Sequence, residues 1–198
     1  MNELEAINSM LSVIGEPPVN MPDENVDAVV ARRILHETSR LVQTEGWYFN
    51  MEYNFPLTPD VDGFIYVPEN MISVNITPLN TVGRVDVIIR GNRLYNLNNH
   101  TFVFEPLRYR ATVIFIHPFA ELPHTAKEYI RVRAGRKFQT DMVGSEALNQ
   151  FTQMDEFTAR GTLMREQVNS NAANFLGPVR NSPFGHSVPA RAVRGRRA

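Results

Sequence analysis

The spacing of apolar residues changes along the chain, and each change predicts a change of secondary structure. Near the beginning, apolar positions recur every three or four residues, which is the period of one helix face. They predict a helix over residues 2–14 with a face made of Leu4, Ile7, Leu11 and Ile14. Gly15 is predicted to end this helix, and Pro17 and Pro18 cannot continue it.

A capping signal and a second set of apolar residues at helical spacing extend the helical prediction to residue 46. Asn2 followed by Glu5 has the spacing of a capping box, in which each side chain bonds the other residue's backbone N–H. A second helix is predicted at about 24–45, capped by Asp23 and ended by Gly46. Its predicted apolar stripe is Val26, Val30, Ile34 and Leu41.

The middle of the chain has a period of two, which is typical of strands with one buried face. The first strand is predicted to start at Trp47, directly after Gly46, with Trp47, Phe49, Met51, Tyr53 and Phe55 on one side. Further strands are predicted at residues 64–67, 72–76, 84–90, 94–97, 101–104 and 111–116. Gly91-Asn92 and Asn98-Asn99 are typical of tight hairpin turns, which makes neighbouring strands antiparallel.

After Pro118 the helical spacing returns and predicts two more helices. The third is predicted at about 124–141, with a face made of Ala126, Ile130 with Tyr129, Ala134 with Arg133, and Phe138. The fourth is predicted to begin near Ser145 and to lose its pattern after Gly161. Its predicted apolar side is Leu148, Phe151, Met154 and Phe157.

These segments predict an α+β protein with a discontinuous helical part. Residues 1–46 and 120–168 are expected to pack as one four-helix bundle, because a lone two-helix hairpin buries little surface. An antiparallel β-rich insert is expected at 47–119. Residues 169–198 are expected to form an extended basic arm, since Asn, Ala, Pro, Gly and Arg cannot bury enough surface to order themselves alone.

Composition and charge narrow the classes of protein. The 198 residues contain no cysteine, which excludes a disulfide scaffold, a cysteine zinc ribbon and a thiol nucleophile. Residues 167–198 contain five arginines and no acid, so 15 basic and 21 acidic residues in 1–166 give that part a net charge of −6. The apolar runs are too short to cross a bilayer and the beginning is acidic, which predicts a soluble intracellular protein without a membrane partner.

Signatures of catalysis are missing from the sequence. There is no Gly-x-Ser-x-Gly elbow, Walker loop or His-Glu-x-x-His motif, and the five histidines lack metal-ligand spacing. Asp60 and Asp62 lack the other ligands of a calcium loop and predict a plain turn. A glycan hydrolase would need two facing carboxylates. Asp60 and Asp62 are candidates for them, but no sequence pattern marks them as a catalytic pair. No catalytic, cofactor-binding or metal-binding residue is therefore predicted.

The arginine-rich end is the most informative segment about partners. Apolar residues such as Val188 and Val193 lie between its arginines, which favours docking on a protein. The residues predicted to contact a neighbouring protein are Arg180, Phe184, Arg191, Arg194, Arg196 and Arg197. Two alternatives stay open: a solvated terminus, or a nucleic-acid-binding module that acts through these arginines.

Three motifs give the sequence a resemblance to a known family. Residues 4–19, which end in Gly-Glu-Pro-Pro-Val, resemble the opening helix and turn of the tail tubular protein A family, the head-to-tail adaptors of short-tailed bacteriophages. Residues 27–35 and the Glu-Gly-Trp-Tyr-Phe-Asn segment at 45–50 resemble that family's second helix and following strand. Residues 122–138 resemble its third helix, so the resemblance spans nearly all of 1–160.

The resemblance implies a structural virion protein and not an enzyme. It implies a homo-oligomeric ring, a dodecamer, between the portal protein and the tail nozzle (tail tubular protein B). Genomic DNA would pass through the lumen without sequence-specific contact. The protein would be made in the host bacterial cytoplasm and lie in the virion tail. Within the motifs, the residues interpreted as fold determinants are Gly15, Pro17, Pro18, Gly46, Trp47 and Phe49.

Overall fold

A computed structural model describes residues 1–77, 85–144 and 146–176, with helices towards both ends and strands between them. The helices are α1 (Glu3–Val13), α2 (Val26–Gln43), α3 (His124–Met142) and α4 (Glu146–Leu176). The strands are β1 (Met51–Leu57), β2 (Met71–Thr77), β3 (Val87–Arg90), β4 (Arg93–Asn96) and β5 (Tyr109–Phe115). This content confirms the predicted α+β class.

α1 begins and ends as its sequence predicts. The Asn2 side chain accepts a hydrogen bond from the Glu5 N–H, and the Asn2 N–H donates to the Glu5 carboxylate, so the capping box is complete. Gly15 follows the helix with a φ of +84°, a conformation that glycine adopts without strain. The fully buried residues of the helix are Ala6, Ile7, Met10 and Leu11.

α2 is shorter than predicted and buries a different face. Its N-cap is Asn25 and not Asp23, because the Asn25 side chain accepts the Ala28 N–H at 2.6 Å. Val26 and Leu41, which were predicted to face inward, are exposed. The buried face contains Ala28, Ala31, Ile34, Leu35, Thr38, Ser39, Val42 and Gln43. Small side chains let helices approach closely, a requirement that apolar spacing does not reveal.

Two antiparallel sheets form the middle of the molecule. β5 is the central strand of a three-stranded sheet and pairs with β1 on one side and β2 on the other. β3 and β4 form a hairpin whose turn contains Gly91 at φ +65°. The sheets enclose an apolar core separate from that of the helices, and its most deeply buried members include Leu94, Ala111, Val113 and Ile65.

The first strand begins later than predicted. Residues 47–50 form a tight turn in which the N–H groups of Asn50 and Met51 donate to the Trp47 carbonyl, so β1 begins only at Met51. Trp47 therefore does not start the sheet. Its side chain is 4% exposed and packs in the helical core.

Two further predicted strands are reduced to single bridges. Residues 64–67 pair with the hairpin through one bridge at Tyr66, and residues 101–104 through one bridge at Thr101. Pro68 has no N–H to extend the first ladder. The Thr101 hydroxyl accepts the Val103 N–H, a local bond that competes with strand pairing.

α3 is the central helix of the helical part. α1, α2 and α4 each pack against it, and α1 also packs against α2. α1, α3 and α4 line a groove of about 530 Å³, and the predicted four-helix bundle is not confirmed. Among the described residues, no helix combines the length and apolar character needed to cross a membrane.

α4 is longer than predicted and presents a different face to the core. It runs to Leu176, past Gly161 and past residue 168, beyond which an extended arm was expected. Leu163 is fully buried, whereas Met154 and Phe157, predicted to face inward, are 66% and 76% exposed. The side chains of the other two predicted inward residues, Leu148 and Phe151, lie outside the described residues.

Two buried glutamines provide a matched test of polar burial. The Gln43 side chain donates to the His117 carbonyl and accepts the His117 N–H, at 3.0 and 2.8 Å, whereas neither polar atom of the Gln139 side chain has a partner. An unpaired buried polar group costs roughly 1–3 kcal/mol. We expect Gln139→Met to raise the free energy of unfolding by about 1 kcal/mol and Gln43→Met to lower it by about 2 kcal/mol. Urea denaturation followed by circular dichroism measures both, and equal losses would contradict this account.

Candidate interaction surfaces

The acidic residue Asp60, which the sequence singled out, has structural partners. Within residues 1–77, 85–144 and 146–176, no three His, Asp or Glu side chains lie close enough to share a metal ion. The Asp60 carboxylate accepts the N–H groups of Asp62 and Phe64, at 3.0 and 2.7 Å, which confirms the predicted plain turn. The features that remain to be explained are surfaces.

Two buried amide side chains join the helices to the three-stranded sheet. The Asn50 amide donates to the carbonyls of Gln43 and Phe115, at 2.9 and 2.8 Å, and its oxygen accepts the Trp47 N–H at 2.8 Å. Gln43 bonds the backbone of His117 in both directions. We call Gln43, Trp47, Asn50, Phe115 and His117 the joint. They bind the end of α2, the turn at its end and the end of β5 to one another.

The backbone geometry between Gln43 and Trp47 favours glycine at position 46. Its φ of +73° is one that residues with a Cβ adopt at a cost. A Cβ at this position would also lie 2.5 Å from the Met51 Cε and 2.9 Å from the Ile114 Cδ1. Glycine is therefore favoured at the place where the chain turns from α2 into the sheet.

A cluster of charged residues holds α4 against α3. The Tyr129 hydroxyl accepts hydrogen bonds from Arg133 and Arg160, at 3.0 and 3.1 Å. Arg160 also pairs with Glu45 at 2.8 Å, and Arg133 lies 3.7 Å from the Glu156 carboxylate. Burial lowers the pKa of Arg160, but Tyr129 and Glu45 outweigh it, so the net pKa is raised. The inner side of α4 is thus held partly by polar contacts.

The outer side of α4 presents a line of apolar residues to solvent, which we call the α4 stripe. It consists of Met154, Phe157, Gly161, Met164 and Val168, and its spacing of three and four residues places them on one face. The side chains of Met154, Phe157, Met164 and Val168 are exposed. A Cβ at Gly161 would meet no atom within 4 Å. Glycine inside a helix costs about 1 kcal/mol relative to alanine. Nothing within the described chain explains that cost, and a contiguous exposed apolar patch is typical of a docking surface.

The structure places the predicted fold determinants at the ends of α1 and α2. Gly15 and Gly46 have positive φ, and Trp47 donates its indole N–H to the Val42 carbonyl at 2.8 Å. The Phe49 ring meets the Tyr48 ring edge-on at 5.4 Å. Pro17 and Pro18 are exposed. The residues predicted to contact a partner lie outside the described residues, and they are Arg180, Phe184, Arg191, Arg194, Arg196 and Arg197.

Sequence reasoning missed the polar residues of the joint and the orientation of α4. Gln43 belongs to no motif, and Asn50 ends the Glu-Gly-Trp-Tyr-Phe-Asn segment, but no contact was predicted for either residue. The α4 stripe did leave a signal, since its heptad-like spacing continues to Val168 after the predicted end of the pattern at Gly161.

The comparison with known proteins identifies the class of this chain. The description of the matching family is tail tubular protein, and the match covers residues 4–173, so the chain belongs to the tail tubular protein family. Tail tubular protein A of Klebsiella phage KP34 is 26% identical over 191 residues, which cover 93% of this chain and 99% of that protein. These matches confirm the resemblance seen in the sequence. The chain is a structural protein of a phage tail.

Gly46 and Gly15 allow the two costs of replacing glycine to be separated. Gly15→Ala introduces only the backbone cost of a positive φ, about 1–2 kcal/mol, because nothing lies within 4 Å of the new Cβ. Gly46→Ala adds the overlap with the ends of the Met51 and Ile114 side chains, whose displacement we expect to cost about a further 1 kcal/mol. Chemical denaturation of the two variants measures the difference. Equal losses of stability in the two variants would show that the Met51 and Ile114 side chains move away from the added methyl group without cost.

The link between α1 and α2 predicts a dependence of stability on pH. Glu3 lies 2.9 Å from His36 Nε2 and 3.0 Å from Arg32 Nε. Burial raises the pKa of Glu3, but the bonds and charges of His36 and Arg32 outweigh it, so the net pKa is lowered. A lowered folded pKa stabilises the fold above the unfolded value of about 4.5, and this stabilisation is lost as pH falls through the folded pKa.

The melting temperature should therefore fall on acidification below about pH 4.5, and Glu3→Gln should reduce that fall. Thermal melts from pH 7 to pH 3 test this, with Glu16→Gln at an exposed glutamate as the control. Parallel pH profiles for wild type and Glu3→Gln would contradict the assignment.

Proposed function

We propose that this chain is the adaptor subunit of the tail, forming a dodecameric ring between portal and nozzle through which genomic DNA passes. The observation that supports the proposal is the α4 stripe, an apolar face without a partner in a chain of the tail tubular protein family. A ring closes only through heterologous contacts, in which two different surfaces of each subunit meet. Such a function depends on shape and association and requires no covalent step.

The size of the α4 stripe suits a contact that is stable only in an assembly. Burying one Met, Phe or Val side chain contributes roughly 1.5–3 kcal/mol. Four partly exposed side chains therefore contribute on the order of 5 kcal/mol, against an association cost of roughly 4–15 kcal/mol. Two isolated copies would associate weakly through this stripe alone. Each subunit of a closed ring gains two such contacts, and a portal adds more.

The overall charge suits the passage of DNA through a lumen. Each phosphate contact made by Lys or Arg would hold the DNA and slow its movement. Residues 1–166 have a net charge of −6, which favours a lumen wall that does not bind the DNA tightly. The alternative of a nucleic-acid-binding module acting through the arginine-rich end is not favoured, because the family is one of tail structural proteins.

Removing apolar side chains from the α4 stripe tests the ring. We expect Phe157→Ser combined with Met164→Ser to raise the protein concentration needed for ring formation at least tenfold, because both side chains lose their buried contact. The matched control is Tyr53→Ser combined with Val61→Ser, which removes exposed apolar residues from the β-rich part. Sedimentation velocity and negative-stain images of each protein, alone and with portal, report the assembly.

The two variants also separate the ring from its rivals. Rings from the control and none from the α4 variant, at equal melting temperatures, would support the proposal. A wild-type chain that stays monomeric even with portal and nozzle present would overturn it. Binding of wild-type chain to DNA that weakens steeply with salt would restore the nucleic-acid alternative.

A further inference from the structure

Charges of opposite sign are concentrated at the two ends of the sequence. Residues 1–31 contain six Asp or Glu and no Lys or Arg, and residues 177–198 contain five Arg and no Asp or Glu. Residues 32–176 contain 15 acidic and 15 basic residues, so their charges balance. The charge asymmetry of the chain is therefore a property of its ends alone.

Four of these six acidic residues lie on a surface where α1 turns into α2. We call it the α1–α2 corner and define it by the carboxylates and exposed apolar residues Glu16, Asp23, Glu24, Asp27, Met21, Val26 and Val29. Met21 and Val26 are 65% and 77% exposed. Among ion pairs of the described residues, only that between Asp23 and Arg32, at 3.2 Å, involves the corner. A face that is both apolar and acidic fits a partner that is both apolar and basic.

The fold places this corner far from the point where the arginine-rich segment leaves α4. α2 runs antiparallel to α3, because Glu37 pairs with Lys137 and Glu45 with Arg133. α4 also runs antiparallel to α3, since Glu156 pairs with Arg136 and Glu166 bonds Thr125. The start of α2 and the end of α4 therefore lie at opposite ends of the helical part.

The lengths of the helices indicate which copy the segment reaches. At 1.5 Å per residue, Val26 lies about 28 Å along the chain axis from Glu45, and Leu176 about 24 Å from Arg160. Glu45 pairs with Arg160, so the two ends are roughly 50 Å apart. Residues 177–198 could span about 70 Å if fully extended and would spend most of that length returning to their own corner. The α1–α2 corner of a second copy placed end to end with the first would lie next to the end of α4, within easy reach of this segment.

We infer that residues 177–198 of one copy dock on the α1–α2 corner of the next copy, so that subunits join head to tail. This inference rests on the proposed ring and names the two surfaces of one of its contacts. The arginines pair with the carboxylates, and Phe184, Val188 and Val193 cover the exposed apolar side chains. Different surfaces meet at this contact, which is what a closed ring requires.

Reversing the charges on each side tests the contact. The corner variant combines Glu16→Lys, Asp23→Lys and Asp27→Lys, and leaves Glu24 because its carboxylate accepts the N–H groups of Asn20 and Met21. The tail variant combines Arg191→Glu, Arg194→Glu, Arg196→Glu and Arg197→Glu. Each variant should raise the concentration needed for ring formation at least tenfold, and the chain that combines them should recover most of the loss. The matched control reverses exposed carboxylates of the β-rich part through Glu52→Lys, Asp62→Lys and Glu69→Lys.

A peptide measurement tests the same contact without a ring. A fluorescent peptide of residues 177–198 is titrated onto the full-length tail variant, whose corner is free of its own basic segment. Saturable binding that weakens with salt and is lost on the chain combining corner and tail changes supports the inference. Equal binding to both chains, or no binding, overturns it even if wild-type rings form. Absence of wild-type rings together with saturable peptide binding would overturn the proposed function and retain the contact.

Discussion

The hydrogen bonds of Gln43 and Asn50 are the constraint on which the arrangement of helices and sheet depends. They satisfy buried backbone groups of His117, Phe115 and Trp47 at the place where the chain leaves α2. Each such group would cost roughly 1–3 kcal/mol if left unpaired. Both amides are held by several bonds, which restrict the orientation of the three-stranded sheet relative to α2. A subunit whose neighbours recognise its shape requires an orientation of this kind.

In the proposed function, α4 has one side for folding and one side for assembly. The inner side is held by Leu163 and by the ion pairs of Glu156 and Arg160. The outer side leaves Phe157 and Met164 in water, which a monomer tolerates because single exposed apolar groups do not prevent folding. A protein that must remain soluble before it joins a large structure benefits from this division, since the apolar surface is modest until several contacts form together.

Acidic and basic residues are concentrated at opposite ends of the sequence. The acidic residues near the start of α2 and the end of α4 lie at opposite ends of the helical part, and the arginines follow α4 in the sequence. A chain with complementary ends tends to bind the next copy head to tail, and such contacts produce either a closed ring or an open filament. In the proposed ring, the angle between successive subunits selects between them.

Local chemistry by itself determined the features that depend on neighbouring residues. The capping box of Asn2, the stop at Gly15 and the turn at Asp60 require partners only a few positions away, and the motifs at residues 4–50 were sufficient for the family. Tertiary structure alone decided which faces of α2 and α4 are buried, because periodicity identifies residues that share a face but not which face meets the core. It also decided the joint, where Gln43 and His117 are 74 positions apart and no local pattern can express their pairing.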